Sequence, residues 1–145
     1  MKAEHAKLHR LQRLEKMRAI AKQSAVTEAA RAESTYAQLS MLADRTAQLA
    51  ADYASRTDVV DGSDLRQMRR FATGLQGIRA TTTADATRAQ AIADKRQVEL
   101  AAAERRRAAV EDRATEQARQ IAAKSQYTAL SGRPTAAKRF GTDPA

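Results

Sequence analysis

Two short clusters of break-prone residues are all that interrupts a chain otherwise built from strong helix formers. The first, Asp58 to Asp64, reads DVVDGSD. Val59 and Val60 are mediocre in a helix and Gly62 can take a left-handed conformation. Ser63 is a good N-cap, with Asp64 in the first turn behind it. The second cluster is Ser131-Gly132-Arg133-Pro134. Gly74 and Gly77, between the two, each cost a helix about 1 kcal/mol without ending it. The spacing predicts a first arm over about residues 3–57, a turn over 58–63 and a second arm over about 64–128. Residues 1–130 then form one hairpin. Residues 131–145, with Arg133, Lys138 and Arg139, are expected to be a short, disordered basic tail.

Each arm carries a ladder at alternating three- and four-residue steps, which is the coiled-coil spacing. On the first it reads Leu11, Leu14, Arg18, Ala21, Ala25, Glu28, Ala32, Thr35, Leu39, Leu42, Thr46, Leu49, Tyr53. On the second it reads Leu65, Met68, Ala72, Leu75, Arg79, Thr82, Ala86, Ala89, Ala93, Arg96, Leu100, Ala103, Arg107, Val110, Ala114, Gln117, Ile121. A short turn makes the arms antiparallel neighbours. The expected fold is therefore all-α, an antiparallel coiled-coil hairpin. Folding about Val60-Asp61 makes facing residue numbers sum to about 121, so that Leu49 meets Ala72, Thr46 meets Leu75, Leu14 meets Arg107 and Leu11 meets Val110. At about 1.5 Å per residue, such an arm is roughly 80 Å long.

Composition agrees with thin helices rather than a layered core. Aromatic residues are 3%, Trp is absent, and the apolar 43% is mostly alanine, which buries little area. Without cysteine there are neither disulfides nor thiolate metal sites. No apolar run approaches the roughly 20 residues of a membrane span. The first residues, MKAEHAKLHRLQRLEKMRAI, carry charge throughout and lack the apolar stretch of a signal peptide. A soluble, cytoplasmic protein is expected.

Little here serves catalysis. Gly74-Leu75-Gln76-Gly77 lacks the spacing and the lysine of a phosphate loop. The two histidines, His5 and His9, stand one helical turn apart with Glu4 beside them, but no further ligand accompanies them. Glu111 and Asp112 are adjacent on a helix and point apart. Neither an enzyme nor a bound cofactor or metal is expected.

The charge is uneven. Net charge is +9 overall: +5 over residues 1–31, −1 over 32–94 and +5 over 95–145. The hairpin is expected to be basic at its open end, where Arg10, Arg13 and Lys16 oppose Arg105, Arg106, Arg107 and Arg113. One reading of these is a solvated face paired with Glu104, Glu111 and Glu116. The other is an electrostatic tip for an acidic partner. Specific nucleic-acid modules set aromatic platforms beside their charge, and the basic end has none within the paired arms. Near the turn the bulky residues gather. Gln38, Leu42 and Leu49 on one arm and Phe71, Leu75 and Ile78 on the other share one band. Phe71 and Ile78 fall beside the ladder, so partial exposure and a docking role are expected.

The chain resembles the FliJ family of flagellar type III export proteins, in its length, its two arms and its central turn. The resemblance extends to the basic Leu-rich start (KLHRLQRLEKMRAI) and the Arg/Glu-rich second arm (AERRRAAVEDRATEQAR). QLSMLAD at 38–44 and FATGLQGI at 71–78 resemble the family's patch for the membrane export gate. Gln38, Leu42, Phe71 and Leu75 match that patch and Ile78 keeps its apolar character. Arg45 and Leu49 stand where relatives can carry tyrosine, and Thr82 where one can carry histidine. The resemblance implies a non-enzymatic stalk, like that of rotary ATPases. Its open end would dock in the export ATPase ring and promote ring assembly, and its patch would engage the gate. Export-chaperone handling and a cytoplasmic location at the inner-membrane export apparatus are implied too, as are roles in flagellum biogenesis, motility and chemotaxis. Two other readings compete. One is a basic hairpin for nucleic acid or the ribosome, whose binding would fall steeply with salt. The other is a self-associating scaffold, which predicts a discrete homo-oligomer where a stalk would be monomeric in isolation.

Overall fold

The computed structural model describes residues 1–56 and 61–132. The expected turn residues 58–60 and the tail from residue 133 onward lie outside the described residues. Two helices, α1 (Lys2–Ser55) and α2 (Gly62–Ser131), pack against each other as an antiparallel hairpin. Contacts group into two compact units. One holds Met1–Ile20 with Arg105 onward, and the other holds Ala21–Glu104 with the turn.

Local chemistry explains where the helices start and stop. Asp61 caps α2: its Oδ1 accepts hydrogen bonds from the backbone N–H groups of Ser63 (2.8 Å) and Asp64 (2.9 Å). The expected cap, Ser63, is instead inside the first turn. Gly62 is helical, with no left-handed conformation. A carboxylate at the cap also meets the positive end of the helix dipole, which favours Asp61 over a neutral serine two residues later. At the other end α2 runs three residues past the expected 128, because the Gly132 N–H still donates to the Thr128 carbonyl at 3.0 Å. Pro134 then follows in the sequence and cannot extend that pattern. α1 stops at Ser55, two residues before the expected 57.

Threonine is a weak helix former, yet several sit well inside these helices. Each tolerates the position by donating its hydroxyl back to a carbonyl one turn earlier: Thr46 to Leu42 at 2.8 Å, Thr82 to Ile78 at 3.0 Å. That internal bond lets both be buried between the helices without an orphaned hydroxyl.

The ladder on α2 forms as its spacing predicts. From Met68 to Ile121 every predicted rung is buried or half-buried except Arg79. Leu65, before it, is exposed. On α1 the agreement is partial: of the predicted rungs Ala21, Thr35, Leu42 and Leu49 are exposed, while Leu14 and Glu28 are half-buried beside Glu15 and Ala29. Leu11, Arg18, Ala25, Ala32, Leu39, Thr46 and Tyr53 face α2, but the rungs between them are Glu15, Lys22, Ala29, Tyr36, Ala43 and Ala50. Each lies one residue after its predicted counterpart. Leu42 and Leu49 therefore leave the seam, and small alanines enter it.

The register differs as well. In the turn-bearing unit the Tyr53 ring lies 4.3 Å from that of Phe71, and Lys22 Nζ bonds Glu104 at 3.1 Å. In the unit bearing the termini, Glu4 accepts a hydrogen bond from Lys124. Facing numbers thus sum to 124, 126 and 128 rather than 121. Aligning the rungs about a sum of 125 shifts one helix by about one turn, or 6 Å. Packing gives the reason. This alignment sets Tyr53 against Ala72, Ala50 against Leu75, Leu39 against Ala86, Tyr36 against Ala89 and Ala25 against Leu100. A large side chain meets a small one at each of these layers, which keeps the seam filled there without overpacking.

Candidate interaction surfaces

The shift of the α1 rungs determines what is displayed near the turn. Leu42 and Leu49 immediately precede rungs Ala43 and Ala50. Phe71 and Ile78 immediately precede rungs Ala72 and Arg79. In an antiparallel pair, these positions all border the same edge of the seam. The four side chains are 47%, 44%, 48% and 53% exposed, and together they form an apolar edge drawn from both helices. Gln38 and Arg45 sit beside Leu42 on the adjoining face of α1, where they line a shallow groove with Met41, Asp44 and Gln48. Six of the eight predicted patch residues therefore share one continuous surface. The remaining two, Leu75 and Thr82, are only 7% and 8% exposed and lie beneath it as rungs. They set the spacing under the patch and offer a partner no side chain.

One element of this surface had no counterpart in the ladder reading. The Arg56 guanidinium lies 4.5 Å from the Tyr53 ring centroid, and that ring packs on Phe71 at a 42° tilt. A cation and two rings thus stack at the turn end of the edge, beside Asp64, Gln67 and Met68. Such contacts contribute about 0.5–1.5 kcal/mol each. The signal in the sequence was the pairing of Tyr53 with Phe71, which needs the later register before it can be seen.

The basic residues of the other unit do not converge. Arg10, Arg13 and Lys16 lie on the face of α1 turned away from α2. Arg105 lies on the outer face of α2, and Arg106 and Arg113 border the seam edge. Arg107 is a half-buried rung whose guanidinium pairs with Glu111 at 3.2 Å. Positive charge is thus distributed around this unit instead of forming one tip. The expected pairings with Glu104 and Glu116 are absent for these arginines among the described residues. Glu104 pairs with Lys22 and Glu116 accepts from Gln120.

The titration of Glu4 is shifted downward. The hydrogen bond from Lys124 holds its carboxyl below the ordinary value of 4.5. Partial desolvation opposes this, and the charges of Lys124, the N-terminus and His5 add to it. His5 and His9 have no further ligand nearby, and no group of three metal-ligating side chains occurs among the described residues. No helix among these residues is long and apolar enough to cross a membrane. In comparisons with known proteins, no family model, no curated protein and no solved structure matches this chain.

Proposed function

We propose that this hairpin is a stalk and adaptor of a flagellar type III export apparatus, with the export ATPase ring and the membrane export gate as its partners. The observation that carries the reading is the apolar edge of Leu42, Leu49, Phe71 and Ile78, flanked by Gln38 and Arg45, at the place where the resemblance puts gate contacts. A surface that leaves four bulky apolar side chains about half-exposed is built for a partner. The distribution of cations around the other unit suits insertion in a ring whose inner wall is acidic, since such a wall meets charge from every side. Nothing in the reading requires chemistry by this chain. Its work is to bind at two places, and export chaperones are a third class of partner for the same arms. In isolation the stalk is monomeric.

The test is to titrate the chain into the purified flagellar export ATPase of the same cell, following hydrolysis and hexamer formation. Both should rise, and neutralising Arg10, Arg13, Arg105, Arg106 and Arg107 should remove most of the rise. No change at a large excess of the chain rejects the stalk. The net charge of +9 keeps a nucleic-acid hairpin as the second reading. It predicts duplex binding whose constant falls steeply between low and physiological salt.

A further inference from the structure

The outer face of α1 over residues 2–20 is basic and free of acid, with two bulky apolar side chains among its cations. Its residues include Lys2, Arg10, Arg13 and Lys16, and no Asp or Glu. The only acids in that stretch, Glu4 and Glu15, are rungs turned toward α2. On the same face Met17 and Ile20 are 66% and 71% exposed. Residues 10, 13, 17 and 20 follow three-, four- and three-residue steps, so they form one stripe along the helix. Among the described residues no carboxylate pairs with Arg10, Arg13 or Lys16. The outer face of α2 in the same unit is different: Arg105 and Arg119 alternate with Asp112 and Glu116, and apart from Leu130 at the end of the helix its apolar residues are alanines.

We infer that the Arg10–Ile20 stripe is a docking surface for an acidic amphipathic helix of another protein. A partner helix with leucine-type residues one turn apart covers Met17 and Ile20, and its Asp or Glu residues reach Arg10, Arg13 and Lys16. The charge argument excludes the nearest alternatives. A second copy brings the same basic stripe, which repels this one, or an α2 outer face with no excess of acid. An anionic bilayer requires a broad bulky apolar face, and two side chains make a narrow one. Phosphates would use the arginines and leave Met17 and Ile20 without a role. The inference is independent of the stalk reading. A chain that failed to stimulate any export ATPase would still bind such a helix.

The probe is a designed, fluorescein-labelled helical peptide with leucine at i, i+3, i+4 and i+7 and glutamate on both flanks, titrated with the full chain and read by anisotropy. A Met17→Gln/Ile20→Gln double variant should weaken binding about tenfold or more. An Arg10→Gln/Arg13→Gln variant should weaken it several-fold and flatten its salt dependence. A Val98→Gln variant, at an exposed apolar side chain in the other unit, should bind as the parent does. All four targeted side chains of the stripe point away from α2, so circular dichroism should show unchanged helicity. Equal affinity of the Met17→Gln/Ile20→Gln variant overturns the inference, and so does a lysine-flanked peptide binding as well as the glutamate one. Binding to phosphatidylglycerol vesicles that depends on Met17 and Ile20, without peptide binding, assigns the face to a membrane and overturns it as well.

Discussion

Single side chains decide how the ends of this hairpin behave. Glu4 and Lys124 join α1 to α2 in the unit bearing the termini. Because the hydrogen bond from Lys124 lowers the Glu4 carboxyl below 4.5, the pair contributes stability that is fully present above that value. It is lost as the pH falls through the lowered folded-state pKa. The expected outcome is a fall in amide protection over residues 2–8, measured relative to the intrinsic exchange rate at each pH, on acidification below pH 4.5. A Glu4→Gln variant should lack that increment while matching the parent's pH dependence elsewhere, and equal acid dependence of the two proteins would falsify this role for the pair. At the turn, Asp61 satisfies two N–H groups of α2 that otherwise have no acceptor. Asp61→Ala should lower unfolding free energy by about 1 kcal/mol in a urea titration. Ser63→Ala should change it by much less, because the serine is not the cap. The sequence offered aspartate, glycine and serine in succession. Only the hydrogen bonds identify which of them begins the helix.

At the scale of the element, α2 was legible and α1 half so, for one physical reason. Hydrophobicity ranks leucine above alanine, so it places the α1 ladder through Leu42 and Leu49. Packing selects by volume match, and α2 already presents Leu75, Leu100 and Val110 as rungs. Alanine or a side chain of complementary size must then stand opposite, as the predicted rung Ala25 does for Leu100 and the new rung Ala50 for Leu75, and Leu42 and Leu49 are left beside the seam. The same error hid the apolar edge: with Leu42 and Leu49 assigned to the core, only Phe71 and Ile78 were expected outside it. The register error has its own cause. The middle of the turn gives one register, whereas side-chain sizes in the layers fix another. Cross-linking separates the two registers, and the cysteine-free chain is a clean background. Ala32→Cys with Ala93→Cys sits in one layer of the observed register, and Ala32→Cys with Ala89→Cys in one layer of the turn-derived register. Mild oxidation should close the first pair severalfold faster, since a disulfide needs Cα atoms within about 7 Å. Faster closure of the second would restore the earlier register.

For the whole molecule, the rungs predict unequal stability along the pair of helices. The turn-bearing unit fills its seam with Tyr36, Leu39, Tyr53, Leu75 and many alanines. In the unit bearing the termini the rungs include Glu4, Glu15, Arg18, Arg107 and Gln117, and alignment about a sum of 125 puts Arg18 opposite Arg107, whose guanidinium turns to Glu111. Two guanidiniums in one layer gain no attraction from each other and displace apolar contact, so that layer should open at low cost. Hydrogen exchange should therefore show its weakest helical protection over residues 2–20 and 105–131 and its strongest over about 36–53 and 72–93. Replacing both arginines, Arg18→Leu with Arg107→Leu, should raise protection on both sides of that layer, by about 1–2 kcal/mol for side chains that are only half-buried. An unchanged exchange pattern would mean that the layer is not the weak one, and that the difference between units resides in their other polar rungs. The consequence for function follows from linkage. A segment held at low stability is one that a partner can order on binding, and the basic residues offered to partners are concentrated in that segment.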